Sequence, residues 1–138
     1  MTVNVEYKKP LPRKDALNAP FWEHAKAHEL AVQHCTACGH LHFPPTPVCP
    51  NCLSEAQDWQ VVSGRGTVLY WIYIHRAYWP AYEAELPYNV CAIKLDEGPI
   101  LLSNVVGVDA GGVQEGMKVE VTFEDVTADT SLPKFCPA

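Results

Sequence analysis

The chain has 138 residues, enough for one average domain, or for a small domain with a metal-stapled appendage. Hydrophobic residues make up 48% of it, ample for a core, while 12 Pro and 8 Gly disfavour a helical bundle. A formal charge of −6, from 10 basic and 16 acidic side chains, opposes the basic face that nucleic-acid binding needs. No basic apolar leader opens the sequence and no run of about 18 apolar residues interrupts it, so the expectation is a soluble, cytoplasmic protein without membrane contact.

In chain order, residues 1–17 carry more prolines and charges than core residues and predict an extended arm. A short helix follows, with Asn18 as its expected N-cap and Pro20 tolerated in the first turn. Phe21 and Trp22 at its start are either ordinary core or an exposed docking ridge. Leu30–His34 has the length of a strand leading into Cys35-Thr36-Ala37-Cys38, and ten residues later comes Cys49-Pro50-Asn51-Cys52. Two Cys-x-x-Cys turns at this spacing can each present two thiolates to one tetrahedral ion, so Cys35, Cys38, Cys49 and Cys52 are the expected ligands of a structural zinc. Four sulfurs fill the shell and leave no open position for catalysis. His34, His40 and His42 crowd the knuckles as alternative ligands, and a disulfide pairing is the competing reading of the same cysteines. Gly39 follows the first pair, where positive φ turns amides toward sulfur. Leu53 occupies the matching place after the second pair and makes a less ideal turn.

Beyond the Ser63-Gly64-Arg65-Gly66 turn the sequence becomes β-rich. Strands are predicted over 67–75, 88–96, 100–108 and 118–126, the last with Val119, Val121 and Phe123 alternating against Lys118, Glu120, Thr122 and Glu124. Short strands with Gly turns at this length fit an OB-type five-stranded barrel. The predicted fold is therefore mainly β: an arm and short helix (1–29), a four-cysteine zinc ribbon (30–62) and a small OB-type barrel (63–138). The Gly-x-Gly at 64–66 precedes a strand and no helix, which argues against a phosphate loop.

The connection from Arg76 to Pro87 is rich in aromatic residues and either caps the barrel or meets a ligand or partner. His75, Arg76, Trp79 and Tyr82 are the candidates there for a CoA or partner contact. Catalytic equipment is scarce. No nucleophile elbow, His-Glu-x-x-His or Gly-Lys-Ser loop occurs, Cys91 sits among Val90, Ala92 and Ile93 as a small core residue, and Cys136 falls at an expected frayed end.

The combined pattern resembles the DUF35 family of acyl-CoA-associated proteins. It is carried by the Phe-Trp helix, Gln33-x-Cys35-x-x-Cys38-Gly39, Phe43-Pro44-Pro45 and Cys49-Pro50-x-Cys52. Trp59, Ser63-Gly64-x-Gly66-x-Val68, Pro87-Tyr88-x-Val90, Glu97-Gly98-Pro99 and Leu132-Pro133-x-Phe135-x-Pro137 continue it from about residue 15 to the end. Two positions depart: Thr46 stands where the family commonly has Arg, and Leu53 where it often has Gly. The resemblance implies a non-catalytic subunit in a hetero-oligomer with a thiolase-fold enzyme or a MaoC-type hydratase, sharing a CoA thioester while the partner performs thiolysis, condensation or retro-aldol cleavage. A single-strand nucleic-acid-binding module and a self-sufficient thioester hydrolase are the rival readings. Net charge opposes the first, and the missing catalytic motifs oppose the second.

Overall fold

The computed structural model describes residues 7–109 and 111–138. Six residues of the expected N-terminal arm lie outside this range. The helix α1 (Ala19–Lys26) is nucleated differently from expectation. Asn18 occupies the N-cap position and its carbonyl accepts Trp22 N–H, but its side chain makes no bond into the helix; instead it accepts the Asp15 N–H at 2.9 Å while the Asp15 carboxylate accepts the Asn18 N–H at 2.9 Å. This reciprocal turn satisfies amides ahead of the helix, and the Asp15 carbonyl then accepts Ala19 N–H. Phe21 and Ala25, one turn apart, form the buried face. Two residues past the helix, His28 takes φ +61° and its ring Nε2 donates to the Asp125 carboxylate at 2.9 Å while the ring stacks on Phe123.

Two antiparallel sheets follow. The first has the order β2-β1-β3, from β1 (Ala31–Cys35), β2 (Leu41–His42) and β3 (Gln57–Val61). The second has the order β6-β5-β4-β7-β8, from β4 (Arg65–Ile74), β5 (Tyr88–Leu95), β6 (Ile100–Ser103), β7 (Lys118–Asp125) and β8 (Ser131–Pro137). It curls until the chain after β6 meets β8 in parallel: Phe135 N–H bonds Asn104 O at 2.9 Å and Val106 N–H bonds Phe135 O at 2.7 Å. Asn89 reinforces the seam, because its amide accepts Val105 N–H and donates to Val105 O, as a strand neighbour would. The expected strand over 100–108 is thus shortened to β6 and this seam, since Gly107 turns at φ +76°. The expected frayed end is β8, paired with β7 along Ser131–Pro137, and Cys136 lies in it half-buried. The connection after β4 contains a 3-10 helix, Pro80–Glu85.

One core serves both sheets. Phe21, Leu30 and Val32 pack in a single cluster with Val62, Val68, Ile93, Val119 and Phe135. Phe21 is 6% exposed, with Trp22 against its edge at 5.0 Å and Phe43 at 5.3 Å. The Phe21–Trp22 pair is therefore the joint between helix, ribbon and barrel, not an exposed ridge. A second lock sits on the linker: the Glu97 carboxylate accepts Ser63 N–H at 2.8 Å, and the Ser63 hydroxyl lies 3.3 Å from its other oxygen. Desolvation pushes the Glu97 carboxyl up, but the Ser63 bonds and Arg65 outweigh it and leave the pKa below the ordinary value.

That shift has a sign. A carboxyl with a depressed native pKa adds stability at neutral pH that disappears as pH falls through its native value. Glu97→Gln is expected to flatten the acid limb of the stability curve, checked by urea denaturation from pH 6 down to pH 3.

Candidate metal centre and surface grooves

The two knuckles are built alike. Cys35 N–H bonds His40 O and Gly39 N–H bonds Cys35 O, while Cys49 N–H bonds Ser54 O and Leu53 N–H bonds Cys49 O, all at 2.8–2.9 Å. Gly39 has φ +81° and Leu53 φ +65°, so both turns require the left-handed conformation, and in the second a leucine adopts it. A side chain there costs about 1 kcal/mol. Leu53 is 74% exposed and makes no core contact to offset this. Leu53→Gly is expected to raise stability by no more than about 0.5 kcal/mol, because glycine's freedom in the unfolded chain offsets most of the relieved strain, measured by chemical denaturation of the metal-loaded protein.

The four sulfurs lie within 4.8 Å of one another, with Cys35–Cys52 at 3.6 Å and Cys38–Cys49 at 3.7 Å. A tetrahedron with metal–sulfur bonds of about 2.3 Å has edges of about 3.8 Å, whereas a disulfide would bring two sulfurs to about 2.05 Å. The geometry fits an ion and not a disulfide, and all six cysteines are free thiols. Backbone amides point at the sulfurs: Cys38 N–H to Cys35 Sγ and Asn51 N–H to Cys49 Sγ, each 3.4 Å. The Asn51 side chain donates to Cys38 Sγ as well, so three N–H donors converge on the sulfurs and favour the negative charge that a metal-bound thiolate carries. The neighbouring histidines are engaged elsewhere. His34 Nδ1 meets Asp58 at 2.7 Å, His42 Nε2 meets the Gln57 amide, and His40 stacks on His42. Between the knuckles, Thr46 is held by Gln33 and Gln57, and its hydroxyl turns back to Val48 O at 2.6 Å. That loop offers no cation.

Two grooves of about 280 Å³ each meet at Asn104, Leu132 and Lys134. One is apolar, between Phe21, Trp22, Phe43 and Leu102; the other is mixed, between Tyr7, Lys9, Tyr82 and Tyr88. Both lysines are neutralised in place, Lys9 by Glu85 and Lys134 by Glu124. Of the four candidates on the aromatic connection, Tyr82 lines the mixed groove, beside Tyr88 and beneath Lys9. His75, Arg76 and Trp79 do not line it; Arg76 covers Tyr78 and all three are exposed. The remaining groove residues come from separate segments, and no spacing in the sequence joins them. Cys91 is fully buried, donates to Asn89 Oδ1, and burial pushes its thiol pKa up. It is a core residue.

A pair of cysteine knuckles joined to a curled five-stranded half-barrel is the architecture of a zinc ribbon followed by an OB-fold. Residues 22–57 match the family model described as ChsH2, rubredoxin-like zinc ribbon domain, and residues 59–124 match ChsH2, C-terminal OB-fold domain. The chain belongs to the DUF35 family with this ribbon and OB-fold pairing. It is 36% identical, over 94% of its length, to a probable enoyl-CoA hydratase alpha subunit of Thermomonospora curvata, of which it spans only 40%. A DUF35 domain-containing scaffold protein of Pyrococcus furiosus is 31% identical, with 77% of each chain covered. Among solved structures, a chain of the Ltp2-ChsH2(DUF35) aldolase superposes with a TM-score of 0.83 at 35% identity, covering 92% of this chain and 98% of that one. No helix among the described residues is long and apolar enough to cross a membrane.

Proposed function

We propose that the chain is a non-catalytic accessory subunit of an acyl-CoA-processing enzyme, and that a thiolase-fold protein supplies the active site. The observation that carries this reading is the match along nearly the whole chain to a chain of the two-protein Ltp2-ChsH2(DUF35) aldolase. The hydratase alpha subunit similar to this chain supports a CoA thioester as the shared substrate, and makes a hydratase the alternative partner. In this reading the four thiolates hold one structural zinc, which fixes the knuckles and does no chemistry.

The joined grooves suit the middle of such a thioester better than its phosphates. Their lysines are already paired with carboxylates, while Tyr82, Tyr88 and Asn104 offer polar contacts and Trp22, Phe43 and Leu102 an apolar wall. Tyr82 would meet the pantetheine amides, and His75, Arg76 and Trp79 would act at the connection's outer surface. Burying a long flexible thioester limits its motion and its exposure to water, which is how a subunit without catalytic groups assists. The same neutralised lysines, in a chain of −6, oppose nucleic-acid binding.

Purification of the tagged, metal-loaded chain from its native cell at moderate salt tests the proposal. A stoichiometric thiolase-fold or hydratase-fold catalytic subunit is expected by mass spectrometry. Recovery of the chain alone, or with nucleic acid that salt removes, would overturn it.

A further inference from the structure

The β4–β5 hairpin runs beyond the barrel. On its β7 side, β4 is paired only over Arg65–Thr67, with Val68 closing on the Gly116–Met117 turn. From Leu69 to Ile74 the described residues give β4 no strand partner on that side, although β5 accompanies it to Tyr88. Two-stranded hairpins are marginal in water, and an open edge leaves backbone donors and acceptors unpaired. Projecting parts of this kind are usually polar. This one is not.

Outward-facing residues follow from the register. Ile72 pairs with Val90, Tyr70 with Ala92, and Ala92 with Leu102; Thr67 pairs with Lys94, and Lys94 with Ile100. Tyr70, Ile72 and Leu102 are 62%, 58% and 67% exposed. Ala92, which pairs with both Tyr70 and Leu102, is itself 1% exposed. At the hairpin's tip Tyr78 and Trp79 are exposed as well. Of the eleven large apolar side chains exposed among the described residues, six belong to this hairpin and β6; the ribbon has only Leu53 and Val61. Such a set presents roughly 600 Å² of apolar surface, at the upper limit for a monomer and close to the roughly 800 Å² each partner contributes to a stable interface.

We infer that this face, Tyr70, Ile72, Ile100 and Leu102 with Tyr78 and Trp79 at its tip, is the docking surface for the catalytic subunit. The inference rests on the proposed function and adds to it where the subunit attaches. The occupant follows from area and charge. From Thr67 to Ile74 and across to β6, the outward-facing residues include no carboxylate, and their one charge is Lys94. A second copy would set Lys94 near Lys94 and bring together two chains of −6 each. A catalytic subunit that presents an apolar patch with a carboxylate opposite Lys94 avoids the like-charge pair and instead neutralises the one charge on this face. On the helix, Phe21 is buried and Trp22 is half-buried against its edge, so neither is among the exposed large apolar side chains.

The test uses the full chain in its native cell, with a photo-crosslinking residue placed in turn at positions 72, 102, 53 and 61, and separately the variants Ile72→Glu and Leu102→Glu. All four positions are exposed, and zinc content with circular dichroism confirms that each variant is folded. Crosslinks from 72 and 102 to an acyl-CoA enzyme's catalytic subunit are expected, with at least a tenfold loss of retained subunit in both glutamate variants. Crosslinks from 72 or 102 to this same chain would replace the inference with a homodimer. Undiminished retention, with crosslinks only from 53 or 61, would overturn the inference and leave the proposed function standing. If the unmodified chain retains no acyl-CoA enzyme at all, both fall.

Discussion

Cys49→Ser will abolish stoichiometric zinc binding and lower the melting temperature by about 15 °C or more, corresponding to at least about 4 kcal/mol. Cys49 is fully buried at the centre of the second knuckle, and its Sγ lies 3.7 Å from Cys38 Sγ and accepts the Asn51 N–H. Three remaining thiolates cannot complete a closed tetrahedral shell, so both knuckles lose their common anchor. The damage reaches the barrel through the shared core, where Val32 and Phe21 pack with Val68 and Phe135. Cys136→Ser is the control: Cys136 lies in β8, outside the cluster, and its substitution is expected to leave zinc content unchanged and move the melting temperature by less than about 3 °C. Metal analysis with thermal denaturation reads both variants. Retention of one tightly held zinc in Cys49→Ser would contradict the assigned ligand set.

The second large effect separates two glycines with the same backbone conformation. Gly64 and Gly39 have φ +78° and +81°. A Cβ on Gly39 meets nothing within 4 Å, so Gly39→Ala carries only the left-handed backbone penalty, about 1 kcal/mol. A Cβ on Gly64 would run into Val121 Cγ1 and lie 3.1 Å from Val121 Cβ. Val121 is held in β7, and its N–H bonds Gly64 O at 2.8 Å, so it cannot retreat without breaking the joint between ribbon and barrel. Gly64→Ala is therefore expected to cost about 3 kcal/mol or more, against about 1 for Gly39→Ala, by denaturant unfolding. Equal costs would mean that the Ser63–Gly66 linker does not pack as tightly as described.

The clustering of the four cysteines was legible in the sequence because two Cys-x-x-Cys pairs at fixed spacing carry their own geometry. The barrel was legible in outline from the alternation over Lys118–Asp125 and the apolar runs before it. β8 escaped because Ser131–Pro137 contains Pro133 and Pro137, which argue against a central strand. It is tolerated because β8 closes the sheet with regular pairing on the β7 side only, meeting just the short Asn104–Val106 segment on the other. The fate of Phe21 and Trp22 was open in one dimension: their neighbour Phe43 lies 22 positions from Phe21, and only the folded chain brings the rings together. The exposed face of β4 was hidden for the opposite reason. From Val68 to Ile74 nearly every residue is apolar, so periodicity cannot say which side meets water, and a register shift between Val68 and Tyr70 decides it. The Glu97–Ser63 lock joins two turns 34 residues apart, each of which reads from the sequence as a turn and nothing more.

On the proposed reading, this chain assists a partner's chemistry on an acyl-CoA without performing any. Turnover of acyl-CoA by the zinc-loaded chain alone, by the co-purified catalytic subunit alone, and by the reconstituted pair tests it most directly. No turnover by this chain is expected, with at least a tenfold higher kcat/KM for the pair than for the catalytic subunit alone. Turnover by the chain alone, or a catalytic subunit indifferent to its presence, would contradict it.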